Sequence, residues 1–217
     1  MTVAILALRC PRCGLPLDGA DNDVAWICGP CGVGVEAELR GAEASLRERP
    51  VFLIVPPDGA PFASPIATLP FWRLALRIHA TGPDGAAVSA VQAAARDRIY
   101  VRAFWLRNGF IIGDPGIALT DAEFSEVRAR GPGVPATRGI AIGSTDAARL
   151  GELFVLRAAD RVRDVASVLV RTEVLSVELA LIPFAVVDDA LVCPVTGRQL
   201  RRELFDELTI EEPLGGR

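Results

Sequence analysis

Two short cysteine motifs near the start of the chain constrain its fold more than any other feature. The first is Cys10-Pro11-Arg12-Cys13-Gly14 and the second is Cys28-Gly29-Pro30-Cys31-Gly32, with fourteen residues between Cys13 and Cys28. A glycine after each second cysteine permits the tight turn that directs backbone N–H groups at the sulfurs. This spacing predicts four thiolates around one tetrahedral metal ion, as in a zinc ribbon.

The predicted metal ligands are Cys10, Cys13, Cys28 and Cys31, and we expect the metal to be Zn(2+). Iron in a rubredoxin-like site uses the same ligands and stays an alternative. A dithiol redox pair is disfavoured because no thioredoxin-like βαβ pattern surrounds the motifs. Four thiolates complete the coordination of zinc, so the site predicts a structural role without catalysis.

The basic residues exclude several kinds of catalytic site. All 23 are arginine, so the chain has neither a phosphate-binding lysine of the Walker type nor a Schiff-base lysine. His79 is the only histidine, which rules out two-histidine metal sites. Since no catalytic triad is recognisable either, we expect a protein that is not an enzyme.

Charge and hydropathy bear on partner and compartment. A net charge of −4 matches the phosphate backbone of nucleic acids poorly. No apolar run reaches the ~18 residues of a membrane span, and residues 1–8 lack the basic segment of a secretory signal. Paired cysteine motifs without an export signal favour a reducing compartment, so we expect a cytoplasmic protein.

Changes in composition divide the chain into three parts. We expect a zinc ribbon at 1–36, a short helix or linker at 37–50 that ends at Pro50, and a β-rich domain at 51–217. The predicted fold class is α+β: an N-terminal zinc ribbon followed by a mainly antiparallel β domain with one or two helices.

Hydrophobic periodicity predicts the elements of both parts. Strands are predicted at 24–27, 51–55, 69–80, 99–107 and 173–184, the last followed by a hairpin turn at Asp188-Asp189. Helices are predicted from an N-cap at Ser144-Thr145-Asp146 through Phe154, and at 198–208.

A short aromatic pattern recurs at Leu69–Trp72, Arg102–Trp105 and Ile182–Phe184. Aromatic residues on strands belong to a core more often than to a ligand platform. We therefore expect these aromatics to anchor one core layer. Internal duplication and chance would both account for the repetition.

Several segments resemble a group of poorly characterised bacterial zinc-ribbon proteins. Beyond the cysteine motifs at Cys10–Gly32, these segments are Leu69–Arg73, Tyr100–Phe104, Ile182–Phe184 and Pro194–Gly197. The resemblance covers most of the chain, although only the cysteine motif is specific. It implies a zinc ribbon before a β-rich domain and carries no established activity.

The remaining candidates suit structural roles. Cys193 is a lone thiol at a strand end and is expected to be a small buried hydrophobe. His79 shares a predicted strand face with Arg73 and Arg77, where we expect it to be solvated and neutral. Asp188 and Asp189 are adjacent, so their side chains point apart and indicate a turn rather than a carboxylate pair.

Two classes of function remain. We expect a non-catalytic binding or scaffolding component of a cytoplasmic protein complex, because the ribbon carries two arginines against three aspartates and would suit a protein partner. The alternative is a nucleic-acid-binding protein in transcription or translation. That alternative requires a basic stripe beside Trp105, formed by Arg73, Arg77, Arg102 and Arg107.

Overall fold

The computed structural model describes residues 7–40, 43–55, 65–107, 113–135, 137, 139–205 and 210–211. These residues form a three-stranded sheet and an eight-stranded sheet with helices packed against the larger one. Only one strand pair among them, between 51–53 and 179–181, is parallel. The α+β class with a mainly antiparallel strand content is therefore confirmed.

The small sheet consists of β1 (Ala25–Cys28), β2 (Val33–Arg40) and β3 (Glu43–Arg49), antiparallel and in that order. The short helix or linker predicted at 37–50 is wrong, because β2 and β3 occupy most of that segment. The two strands pair along their length, with Glu36 opposite Arg47 and Glu38 opposite Ser45. Cross-strand pairing therefore overrides the helix propensity of the segment.

The large sheet is built on two long strands, β5 (Ile66–Thr81) and β8 (Leu169–Val187), which pair along their length. Its strand order is β10-β9-β8-β4-β7, while β6 and β11 pair with β5. The shorter strands are β4 (Val51–Val55), β6 (Ile99–Arg102), β7 (Ser125–Arg128), β9 (Ala190–Val192), β10 (Gln199–Arg201) and β11 (Ile210–Glu211).

Within the described residues, three α-helices accompany these strands: α1 (Gly85–Ala94), α2 (Gly116–Thr120) and α3 (Ser144–Asp160). The sequence patterns did not predict α1, which begins where Asp84 accepts hydrogen bonds from the N–H groups of Ala86 and Ala87. Its Gly-Pro-Asp-Gly start indicates a turn, although Asp is also a strong N-cap residue.

The two faces of the large sheet carry separate cores. One face buries Trp72, Leu74 and Leu179 beneath α1 and α3. The other buries Phe71, Phe104 and Phe184 among residues of α2, β9 and β10. The ring centroid of Phe71 lies 5.4 Å from that of Phe104 and 6.5 Å from that of Phe184.

Three of the five aromatics in the recurring pattern share one core layer, as predicted: Phe71, Phe104 and Phe184. Trp72 is instead buried in the core on the opposite face of the sheet. Trp105 is 62% exposed, since β6 ends at Arg102 rather than continuing to 107. Leu175 is 49% exposed, because the pairing register of β5 and β8 shifts beside it.

The helix predicted at 198–208 is wrong over its described part. Residues 199–201 form β10 and Arg202–Leu204 a single 3-10 turn, while 206–209 lie outside the described residues. Pairing of β10 with β9 satisfies the backbone there and fixes an extended conformation. The predicted hairpin is confirmed, since Asp188 adopts a φ of 52° between β8 and β9.

Candidate metal centre

The four predicted ligands come together at one end of the small sheet. The sulfurs of Cys10, Cys13, Cys28 and Cys31 all lie within 4.8 Å of one another, and Sγ of Cys13 is 3.6 Å from Sγ of Cys28. A tetrahedral zinc with Zn–S bonds of about 2.3 Å separates its sulfurs by about 3.8 Å. The donor set and its dimensions therefore fit one tetrahedral metal ion.

Two equivalent turns present these sulfurs. In the first, the N–H of Gly14 donates to the carbonyl of Cys10 (2.8 Å), and in the second that of Gly32 donates to the carbonyl of Cys28 (2.7 Å). Both glycines adopt a positive φ, 74° and 64°. An L side chain is strained in this left-handed region, which explains the glycine after each cysteine pair.

The thiols differ in acidity. The pKa of Cys13 is lowered to about 7, first because a backbone N–H at Leu15 donates to its sulfur. The pKa of Cys31 is raised to about 12, first because of its hydrogen bond with Cys13. A divalent cation favours the thiolate form of every ligand, so metal binding would release the remaining protons.

The apolar core beneath the turns is small. Its buried residues are two of the cysteines themselves with Leu17, Trp26, Val33 and Val35. A core of this size contributes little folding free energy, and a metal compensates for such a deficit in small modules.

A buried ion pair within the small sheet also contacts α3 of the rest of the protein. Glu36 and Arg49 are 4% and 6% exposed, and their side chains are 2.7 Å apart. The second carboxylate oxygen of Glu36 accepts a hydrogen bond from the N–H of Ser144 at 2.7 Å. The predicted N-cap is therefore corrected: Gly143 is the cap residue and makes no side-chain bond, and Glu36 supplies the acceptor for the first turn of α3.

A third turn of the same geometry lies on the large sheet, between β9 and β10. The N–H of Gly197 donates to the carbonyl of Cys193 (2.8 Å), and the φ of Gly197 is 68°. Cys193 N–H donates to the Arg198 carbonyl (2.9 Å), as Cys10 N–H does to the Leu15 carbonyl (2.8 Å). Thr196 occupies the position of the second cysteine, so this turn offers a single thiol.

Cys193 is 2% exposed and packs in the core with Leu191 and Leu200, which confirms its prediction as a buried hydrophobe. A search for paired cysteines misses this turn. The sequence does indicate the third turn, since Cys193-Pro194-Val195-Thr196-Gly197 differs from the first cysteine motif at only two positions.

The basic stripe that the alternative function requires is neutralised at three of its four arginines, because these contact carboxylates. Nε of Arg73 lies 3.0 Å from Glu126, and the same guanidinium contacts Glu178. Arg77 pairs with Glu173 at 2.8 Å, and Arg102 is buried with Asp114 at 3.7 Å. His79 lies exposed on β5, as expected, with Nε2 3.7 Å from Glu173.

A groove of about 600 Å³ runs beside the second cysteine turn. The residues that line it include Arg12, Arg128, Arg130 and Glu48, together with the segment 31–33. Arg12 is held by Glu48 at 2.5 Å, whereas Arg128 and Arg130 form no ion pair within the described part of the chain. No aromatic side chain of the described residues lines this groove.

Comparison of the chain with protein-family models, with curated proteins and with solved structures gives no match. Among the described helices, none combines the length and the apolar character needed to cross a membrane. Function must therefore be inferred from the site itself.

Proposed function

We propose that this chain is a non-catalytic binding or scaffolding component of a cytoplasmic protein complex, with a hairpin stapled by zinc. The closed cluster of four thiols carries the proposal, because no histidine or carboxylate of the described residues joins it as a fifth group. Such a site fixes a surface and leaves no coordination position for substrate. Five free cysteines suit a reducing compartment, which supports the cytoplasmic assignment.

The proposed docking surface is the tip of the first cysteine turn. Leu8 and Leu15 are 40% and 46% exposed there, and Arg12 lies between the cysteines of the same turn. Exposed leucines on a turn held rigid by metal lose little conformational entropy when a partner covers them. The resemblance to bacterial zinc-ribbon proteins agrees with this architecture and adds no activity.

Nucleic-acid binding is the second candidate, and the arginines of the groove favour it. Arg128 and Arg130 could contact phosphates, in place of the arginines first considered. One observation argues against nucleic-acid binding. Proteins that bind single-stranded nucleic acid stack the bases on aromatic side chains, and none of the described residues lining the groove is aromatic. The protein-binding proposal therefore stands first.

Elemental analysis tests the metal. Purified protein should carry about one zinc per chain with little iron, and Cys28→Ser should lose it. Cys193→Ser is the matched control, because that thiol lies in the third turn and should leave the zinc content unchanged. Protein that binds no metal, or binds it equally in both variants, would contradict the assignment.

Quantitative affinity purification tests the docking surface. Leu15→Asp should lose partners that wild type retains while keeping its zinc, and Cys28→Ser should lose the same partners. Leu153→Asp, at a similarly exposed position on α3, should retain them. Identical partner sets for Leu15→Asp and Leu153→Asp would refute docking through the turn.

A salt titration against single- and double-stranded probes separates the two candidates. We expect a Kd no tighter than about 10⁻⁴–10⁻⁶ M near physiological salt, the non-specific range. Sub-micromolar binding that is lost in Arg128→Gln/Arg130→Gln would establish the second candidate instead.

A further inference from the structure

Strand β8 has a long edge that no described strand covers. Along one side it pairs with β5 from Leu169 to Ala185. Along the other side β4 pairs only with 179–181 and β9 only with 185–187. No described strand therefore pairs with residues 169–178 on this side, along an edge about 33 Å long. N–H and C=O groups point outward at alternate positions from 169 to 174, up to the register shift beside Leu175.

This edge also exposes large apolar side chains. Leu169, Val174 and Leu175 are 64%, 44% and 49% exposed. A groove of about 500 Å³ borders the edge between α3 and β3, and Thr172 and Val174 line it. Edges of this length are normally shortened, bent or covered in natural proteins, because they pair readily with other strands.

The sequence of the edge is complementary to itself. In an antiparallel alignment centred on Thr172, Leu169 faces Leu175, Val170 faces Val174, and Arg171 faces Glu173. Each of these three pairs forms twice, once on each side of the centre. Moving the centre to Arg171 or Glu173 instead places like charges opposite each other, which is destabilising.

The faces of the strand agree with this register. Val170, Thr172 and Val174 pair with Ala80, Ile78 and Leu76, whose face is the core beneath α1 and α3. Arg171 and Glu173 lie on the opposite, exposed face beside His79 and Arg77. Residues that would meet across the edge therefore belong to the same face of the sheet.

We propose that the chain forms a two-fold symmetric dimer in which the β8 edges of two copies pair antiparallel about Thr172. The large sheet then continues from one protomer into its partner, and Arg171 of each chain meets the partner's Glu173. Two-fold pairing of identical surfaces is the commonest way in which soluble proteins associate. The dimer goes beyond the proposed role of the metal hairpin and does not depend on it.

Sedimentation equilibrium on the metal-loaded full chain tests the proposal. The mass should rise with concentration from 23.1 kDa towards twice that value. Pairing of one strand edge buries a small interface, so we expect a Kd of about 1–100 µM. Arg171→Glu and Glu173→Arg should each weaken the dimer at least about tenfold, because each places like charges across the axis.

An equimolar mixture of the two variants is the decisive arm. In the mixed dimer one chain carries only carboxylates at positions 171 and 173, and the other carries only guanidinium groups there. Every facing pair then has opposite charges, so dimerisation should return to within about threefold of wild type. Arg77→Gln is the matched control, because it removes the intrachain ion pair with Glu173 and leaves the edge intact. The control should dimerise like wild type.

Three results would overturn the proposal. A wild-type chain that stays monomeric throughout would mean that the edge is covered by another segment or by a different partner. A dimer that both single variants retain would use another surface. A mixture that stays monomeric would exclude the register centred on Thr172.

Discussion

The turn at Cys10–Leu15 and the turn at Cys193–Arg198 have the same backbone hydrogen bonds but different surroundings. The first rests on a core of six buried residues, two of them cysteines of the cluster. The second rests on the large core that includes Phe184, Leu191 and Leu200. Both turns share the glycine and the hydrogen bonds, whereas the cluster of four thiols occurs at the turn whose apolar core is small.

Removing the metal should give the largest difference between the two regions. Chelation, or Cys28→Ser, should abolish amide protection in the small sheet, since structural zinc contributes about 10–16 kcal/mol of apparent binding free energy in small modules. The β9–β10 hairpin should stay protected. Hydrogen exchange measured by mass spectrometry reports both regions at once.

Simultaneous loss of protection in β5 and β8 would contradict this outcome. It would show that the small sheet belongs to the same cooperative unit as the large one.

Breaking the buried ion pair of the small sheet, between Glu36 and Arg49, should have the next largest effect. Arg49→Met leaves the Glu36 carboxylate buried without its cation, which should lower the free energy of unfolding by about 3–5 kcal/mol. Adding Glu36→Met should recover part of the loss, because the uncompensated charge disappears. Denaturant unfolding measures both variants, and a loss below about 1 kcal/mol for Arg49→Met would argue against this role of the pair.

Substituting the turn glycines with alanine should distinguish the energetic cost of a left-handed backbone conformation from the cost of steric crowding. Gly14→Ala and Gly197→Ala meet nothing within 4 Å, so each should cost about 1–2 kcal/mol for the left-handed conformation alone. A Cβ on Gly32 would lie 2.6 Å from the carbonyl oxygen of Gly131, so Gly32→Ala should cost clearly more. Equal losses of thermal stability at all three sites would contradict the crowding at Gly32.

The smallest effect is expected from Cys193→Ala. Removing one sulfur from the large core should cost about 1 kcal/mol, with the metal content unchanged. Thermal unfolding and elemental analysis of the same sample measure both quantities. A loss of metal would link Cys193 to the cysteine cluster and remove the contrast between the regions.

The sequence predicted the cluster of four cysteines because their spacing is local and chemically specific. Val51–Val55 was also predictable as a short apolar run, and the strand around Trp72 from its alternating burial with a period of two. The α+β class follows from the same signals.

Features that depend on contacts between residues far apart in the chain could not be predicted from the sequence. Glu36 caps α3 from 108 residues away, and no local pattern specifies that contact. The strands at 37–50 depend on cross-strand partners, which local propensity does not contain. The register shift beside Leu175 likewise emerges only when β5 and β8 meet.

The separation of β5 from β8 along the chain has a consequence for synthesis. Residues 82–168 lie between them, and at about 5–20 residues per second a ribosome needs roughly 4–18 seconds to make that segment. Throughout this interval β5 has its apolar residues, Trp72 and Leu74 among them, but lacks its main pairing partner. The cysteine motifs leave the ribosome before β5 and β8. They could bind metal during the interval in which β8 has not yet been synthesised.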